Sequence, residues 1–379
     1  MKAKMHVTDL PTPSLLLDKA RLTANVDRML KKAESLGVAL RPHLKTAKSA
    51  AVGTLATDKL RYGITVSTLK EAAYFADHGF LDITYAVGIV PAKLDEAAAL
   101  MNRGVELKII TDSPDVARAV AAHGAPFDLL AEIDCGDHRG GVQADGDELM
   151  EIAAAFQPDA EPGQAPRLAG VLTHAGHSYG VNSIAEIEKI AEEERLAVTG
   201  AAERLRAAGH RIDIVSAGST PTALFSKDAT GLTEYRPGVF VFFDLDQQSR
   251  GVCDRGDIAL SVLASVIGHN KAAGKILLDS GGLALSKDRG ANAFRPEVGY
   301  GEVCDAETAE PVGGLYVSGV SQEHGHVAVT DPAAYEKLPV GSKVRILPNH
   351  ACMTAAAYDA YGILEGTEVV GTWDRVNGW

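Results

Sequence analysis

Residues 63–87, GITVSTLKEAAYFADHGFLDITYAV, read as a strand, a helix and a second strand. The two ends, GITVST and DITYAV, are short runs rich in Ile, Val and Thr, the composition of strands buried on both faces. Between them Thr68-Leu-Lys-Glu71 is a capping box, in which hydroxyl and carboxylate satisfy amides that the first helical turn leaves without partners. Strand, capped helix and strand together make the repeating unit of a parallel sheet.

The unit repeats on both sides. The strand-like runs are ALRPHLK (39–45), GITVST (63–68), DITYAV (82–87), ELKIIT (106–111), FDLLAEID (127–134), RLAGVLTHA (167–175), DIVSAG (213–218) and EYRPGVFVFF (234–243). Ser183-Ile-Ala-Glu186 is a second capping box and opens a long helix to about residue 208. Pro91 and Pro114 stand where a first helical turn tolerates a missing N–H. Eight strand–helix units in about 230 residues are the number a (β/α)8 TIM-type barrel needs. An open doubly wound sheet is the rival, and the regular spacing favours closure.

Beyond about residue 246 the pattern changes. ALSVLASVIGHN, KILLDSGG, GLYVSGVSQEHG, HVAVT and KVRILP are strand-like and separated by Gly and Asp turns. This predicts a mostly antiparallel C-terminal β-domain, joined by the first residues, where Thr12-Pro-Ser-Leu-Leu-Leu reads as another strand. The expected division is a barrel over 14–246 and a β-domain over 247–379 together with 1–13.

The 379 residues are 46% hydrophobic and 23% charged, enough for a large core and ordinary for a globular chain. A net charge of −13 argues against a nucleic-acid binder or a partner of anionic membranes. No run approaches the ~18 apolar residues of a membrane span. The basic start, MKAK, is not followed by an apolar secretory segment, so no signal peptide is expected. Cys135, Cys253, Cys304 and Cys352 are scattered without a CxxC, which points to a reducing, cytoplasmic setting. Each cysteine then needs an explanation in packing or in chemistry.

In a barrel the chemistry sits at the C-terminal ends of the strands. Alternation along the first strand places Arg41, His43 and Lys45 on one inward face. A lysine desolvated beside other cations is suited to Schiff-base chemistry, whereas the plain alternative is a surface lysine past the strand end. Gly218-Ser219-Thr220-Pro221-Thr222 follows the seventh strand and Arg236-Pro237-Gly238-Val239 lies at the eighth, the two places where barrels bind phosphate. A phosphate-bearing aldehyde cofactor, pyridoxal 5'-phosphate, would use both ends. Arg139, after the fifth strand, is a candidate contact to the cofactor ring, or a partner of Asp134 or Asp137. After the sixth strand His174 is a candidate to stack on the ring and Tyr179 to reach the phosphate. In the β-domain, His350-Ala-Cys352 puts imidazole and thiolate close enough to share one ion, a pair that suits zinc and leaves positions open for catalysis. Alternatively, the cysteine is simply core.

RPHLKTAKS, ITVSTLKEA, EIDCGDHRGGV, VLTHAGHSYG, GSTPTAL, RPGVFVFFD, QEHG and PNHACMT, in this order, resemble the D-serine dehydratase and D-threonine aldolase group of fold type III pyridoxal-phosphate enzymes. The resemblance covers nearly the whole chain, and its wording is nearest the D-threo-3-hydroxyaspartate dehydratases. It implies an alanine-racemase-like barrel with a C-terminal β-domain, assembled as a homodimer. It also implies that Lys45 carries the cofactor, that Tyr179, Ser219, Thr220, Gly238 and Val239 cradle its phosphate, and that His350 and Cys352 hold a divalent metal. Zinc suits that pair, and manganese or magnesium would also enter an open site. His-x-Cys rather than His-x-Asp places the chain on the dehydratase side of the group. The chain departs from the group's pattern at Ala47, where many relatives have histidine. The expected reaction eliminates water from a small D-3-hydroxy amino acid, D-threo-3-hydroxyaspartate or D-serine, and hydrolysis of the resulting imine returns that water and releases ammonia, leaving a 2-oxo acid. The alternatives are a D-threonine-type aldolase, an amino-acid racemase, which has no need of the metal pair, and a non-catalytic cofactor-binding protein, against which the extra β-domain argues. Arg41, Arg139, Arg289 and His324 are all open as the cation that would read a substrate β-carboxylate.

Overall fold

The computed structural model describes residues 5–57 and 63–379, so the basic opening over 1–4 lies outside the described residues. Eight strands form one all-parallel sheet, in the order Ala39–Leu40, Glu234–Tyr235, Ile214–Ala217, Arg167–Thr173, Asp128–Ile133, Glu106–Thr111, Asp82–Gly88 and Ile64–Val66. A parallel bridge between His43 and Thr65 joins the outermost strands, and the sheet closes into a barrel. Every run read as a strand from the sequence contributes one. The first and the eighth shrink to two residues each, because Pro42 and Pro237 have no N–H to add to a ladder. Val239–Val241, expected within the eighth strand, is a 3-10 turn.

Local signals set the helices. Thr68 caps Leu69–Asp77 by accepting the Glu71 N–H at 2.9 Å, while the Glu71 carboxylate reaches one residue further back, to the Ser67 N–H at 3.0 Å. Ser183 caps Ile184–Ala207, Ser113 caps Pro114–His123, and Pro91 opens a 3-10 turn ahead of Leu94–Met101. Among the barrel's apolar clusters, Ile110, Leu130, Ala169 and Leu172 pack together with Ile214 against them.

Ten strands make the second sheet. Leu260–Asn270, Lys275–Leu278, Gly325–Ala328, Pro311–Val320, Gly301–Asp305 and Lys343–Pro348 pair antiparallel in a ring that returns to Leu260–Asn270. Ser14–Asp18 extends it on the other edge of Leu260–Asn270, followed by Ala360–Glu365, Glu368–Asp374 and Met5–His6. Val7, Leu16, Leu263, Ala306 and Leu364 form a core cluster here.

The chain therefore divides into two compact units, Arg28–Gly238 with 378–379, and Met1–Asp27 with Val239–Asn377. The sequence reading draws these boundaries at 13/14 and 246/247. The first falls later because Ser14–Asp18 is laddered to Leu260–Asn270 and Ala360–Glu365, in keeping with the reading of this stretch as a strand of the β-domain. Among the described residues no helix is long and apolar enough to cross a membrane.

Candidate active site

The C-terminal ends of the barrel strands surround a cavity. His43 and Lys45 enter it from the first strand, Glu132 and Arg139 from the fifth, His174 from the sixth and Arg236 from the eighth, with Ala86, Ile110 and Leu172 as apolar wall. Lys45, Arg139 and His174 are thus brought together as the sequence suggests. Arg236 and Glu132 are additions: each stands in a strand-end run, but only closure of the barrel shows that it faces this space.

Lys45 is exposed, on the turn that follows the shortened first strand, so the expected desolvation of its amine is not found. Its surroundings are cationic. Burial, together with the charges of Lys45 and Arg236, pushes the half-buried His43 well below its ordinary value. Burial with Lys45 and Arg139 does the same to His174. Arg41, expected on the same inward face, is spent elsewhere: it bonds Glu234 at 2.7 Å and Asp82 at 2.8 Å, and Lys108 also binds Asp82. These partners hold Arg41 above its ordinary value against its burial.

Arg236 is buried and donates to the Ser216 hydroxyl at 2.6 Å and the Thr173 carbonyl at 2.7 Å. Ser216 in turn donates to Glu234 at 2.6 Å. The Arg139 side chain is 62% exposed, and its guanidinium lies 4.0 Å from both Glu132 and Asp137, too far for a hydrogen bond. Asp134, the other suggested partner, accepts instead from His138, Gln143 and the Gly136 N–H.

The turns after the seventh and eighth strands need their glycines. Gly218 has φ +99°, and a Cβ there would stand 2.7 Å from the Tyr235 ring. Its N–H and that of Ala175 both donate to buried Glu194, at 3.0 and 2.9 Å. Ser219 caps Thr220–Phe225, and its hydroxyl lies 2.9 Å from that of Ser178. A Cβ on Gly238 would come within 2.9 Å of the His43 carbonyl and 3.2 Å of Thr46 Oγ1. Tyr179 sits in the 3-10 turn Gly176–Gly180, its ring centroid 6.3 Å from that of His174. Val239 belongs to the other unit.

In that unit Lys343–Pro348 ends just before His350, which stands in extended backbone ahead of the short helix Ala351–Ala355, with Cys352 in its first turn. His350 Nδ1 lies 2.7 Å from Asp288 Oδ2. Against its burial, the bonds to Asp288 and to Cys352 raise the imidazole to about 11. Among the described residues no group of three or more His, Cys, Asp or Glu side chains converges as a closed metal cage. The other cysteines are explained by packing: Cys253 and Cys304 are buried, and burial pushes the thiols of Cys135 and Cys304 up to about 12. Arg289 lies over the Tyr300 ring at 5.2 Å, and His324 is exposed.

A parallel barrel with lysine, arginine and histidine at its strand ends, joined to an antiparallel β-domain, defines an enzyme of the alanine-racemase-like class. The family model for the N-terminal domain of alanine racemase matches residues 17–246, and a serine dehydratase domain model matches 259–364. The chain belongs to the D-serine dehydratase family of this class. It is 44% identical to the D-threo-3-hydroxyaspartate dehydratase of Delftia sp. (strain HT23), over 98% of each chain. It is 30% identical to the D-serine dehydratase of Dictyostelium discoideum, over 94% of each. The solved Delftia enzyme superposes with TM-score 0.94 at 42% identity, covering 99% of this chain and all of that one. A cysteine-to-alanine variant of a D-threo-3-hydroxyaspartate dehydratase, solved in a metal-free form, superposes with TM-score 0.93 at 43% identity and covers 99% of this chain and 100% of that one.

Proposed function

We propose that the chain is a pyridoxal-phosphate- and divalent-metal-dependent dehydratase. It converts a D-3-hydroxy amino acid, D-threo-3-hydroxyaspartate or D-serine, into a 2-oxo acid and ammonia. The observation that carries this reading is an exposed Lys45 amine in a strand-end cavity, on a chain 44% identical to a D-threo-3-hydroxyaspartate dehydratase.

The residues fit both groups. At Gly238 a Cβ would press on the turn that carries Lys45, and a bare backbone at this strand end supports the reading of the turn as a phosphate site. Tyr179, Ser219, Thr220, Gly238 and Val239 are the residues assigned to the phosphate. His350 and Cys352, in contact with each other, offer the nitrogen and sulfur that zinc prefers, and manganese or magnesium would be accommodated by an open pair. The metal-free cysteine variant of the related dehydratase supports the same assignment.

Held by Lys45, pyridoxal phosphate would supply a sink for the electron pair left at Cα, and a cation held by His350 and Cys352 would supply Lewis acidity toward a β-oxygen. Lys45 would hold the cofactor through its amine, and it is also the residue that would take the Cα proton. His43 and His174 stay neutral near pH 7 and add no charge to the cationic rim. A neutral imidazole at His174 suits stacking on an aromatic ring. Arg139, loosely held by two carboxylates, is the rim cation able to turn toward an anionic partner. The reading extends to a cytoplasmic homodimer.

Incubation with D-threo-3-hydroxyaspartate, D-serine and D-threonine tests it. Oxaloacetate or pyruvate with one equivalent of ammonia is expected. Glycine with an aldehyde would replace the reading by an aldolase.

A further inference from the structure

The turn over 286–290 is built to deliver one carboxylate oxygen. Ser286 has φ +70°, and its hydroxyl accepts the Asp288 N–H at 2.9 Å. Asp288 Oδ1 is tied down by the Gly290 N–H at 3.0 Å, leaving Oδ2 for His350 Nδ1 at 2.7 Å. Gly290 approaches so closely that a Cβ would stand 2.5 Å from Asp246 Oδ1. The segment is braced to the strand end that carries the histidine: the Ala291 N–H donates to Asn349 Oδ1 at 2.8 Å, and Asn349 Nδ2 donates to the Gly299 carbonyl at 2.8 Å. Asn349 is fully buried. A second carboxylate nearby, Asp244, does a different job, accepting the Ala351 and Gln247 N–H groups.

We propose that Asp288 is a positioning residue that holds His350 by Nδ1, so that Nε2 faces the cation with its lone pair free. An ionised carboxylate only accepts, so Nδ1 beside it carries a hydrogen, and Nε2 is the nitrogen left on which a cation would take the place of a proton. The bond fixes the ring orientation before a metal arrives and would raise the basicity of Nε2 toward it. The inference rests on the reading of His350 and Cys352 as metal ligands.

Zn²⁺ titration of the cofactor-loaded protein against a chromophoric chelator tests it. Asp288→Asn, nearly isosteric, and Asp288→Ala are each expected to weaken Zn²⁺ binding by about 10- to 100-fold, with the cofactor absorbance unchanged. Asp288→Glu is expected to recover part of the loss. Saturating Co²⁺ should restore the thiolate-to-cobalt band in Asp288→Asn, which shows that Cys352 still binds the ion. If Asp288→Ala fails to fold, Asp288→Asn decides. Binding by Asp288→Asn within twofold of the parent, while His350→Ala loses it, overturns the inference and leaves the ligand pair standing. Undiminished binding by His350→Ala overturns the ligand pair, and the inference with it.

Discussion

Lys45 lies in the open, and what distinguishes it is its company: a neutralised His43, a neutralised His174 and the buried Arg236. Replacing it with alanine is expected to remove the visible absorbance of bound cofactor and to slow turnover at least about 10²- to 10⁴-fold, the range for loss of a positioned base. An absorption spectrum identical to that of the parent protein would contradict the assignment. The two histidines also set a pH dependence. Both are held below their ordinary value when folded, so their contribution is complete above about pH 6.5, where the unfolded chain also carries them neutral. As pH falls below that, the unfolded chain takes up protons that the native barrel refuses, and stability is lost by up to about 1.4 kcal/mol per pH unit per histidine. Urea midpoints measured between pH 5 and 8 should decline on the acid side, and the decline should flatten in His43→Gln.

Strands and turns impose their own tests. The eighth strand stops at Tyr235, and the chain then depends on Gly238 to pass the His43 carbonyl. Gly238→Ala forces a shift in the turn that holds Lys45. An overpacking cost of about 1–3 kcal/mol there would weaken cofactor binding roughly 5- to 150-fold, readable by fluorescence titration of the apoprotein. Inside the barrel, Arg41 ties the first strand to Glu234 on the eighth and Asp82 on the third. Arg41→Leu leaves buried Glu234 without its paired cation, with only the Ser216 hydroxyl, and leaves Asp82 to Lys108; it is expected to cost about 3–5 kcal/mol in urea unfolding. Asp82 itself is held down to about 2 by Arg41 and Lys108, despite its burial. Its stabilising contribution is therefore present above the unfolded carboxylate range and lost as pH falls toward about 2. Asp82→Asn should remove that acid limb.

At the scale of the whole molecule, the proposed homodimer predicts twice 39.8 kDa by light scattering at micromolar concentration, and a monomeric mass would count against it. The fold was largely legible in the chain. Eight β-rich runs alternate with capped helices, and both signals are local: side-chain periodicity picks the element, and a hydroxyl placed before an acid starts it. His350 and Cys352 were singled out by their spacing, and the structure seats them at the start of one short helix, His350 in extended backbone and Cys352 within the first turn. The limits of the end strands, the exact residues at which the two units divide, and the recruitment of Arg236 and Glu132 to the cavity were not legible. Each depends on a partner far away in sequence, and no local pattern records which neighbour a strand end will meet. Arg41 and Lys45 show the division most clearly, because alternation put both on one face and only closure of the barrel gave one to Glu234 and Asp82 and left the other at the mouth.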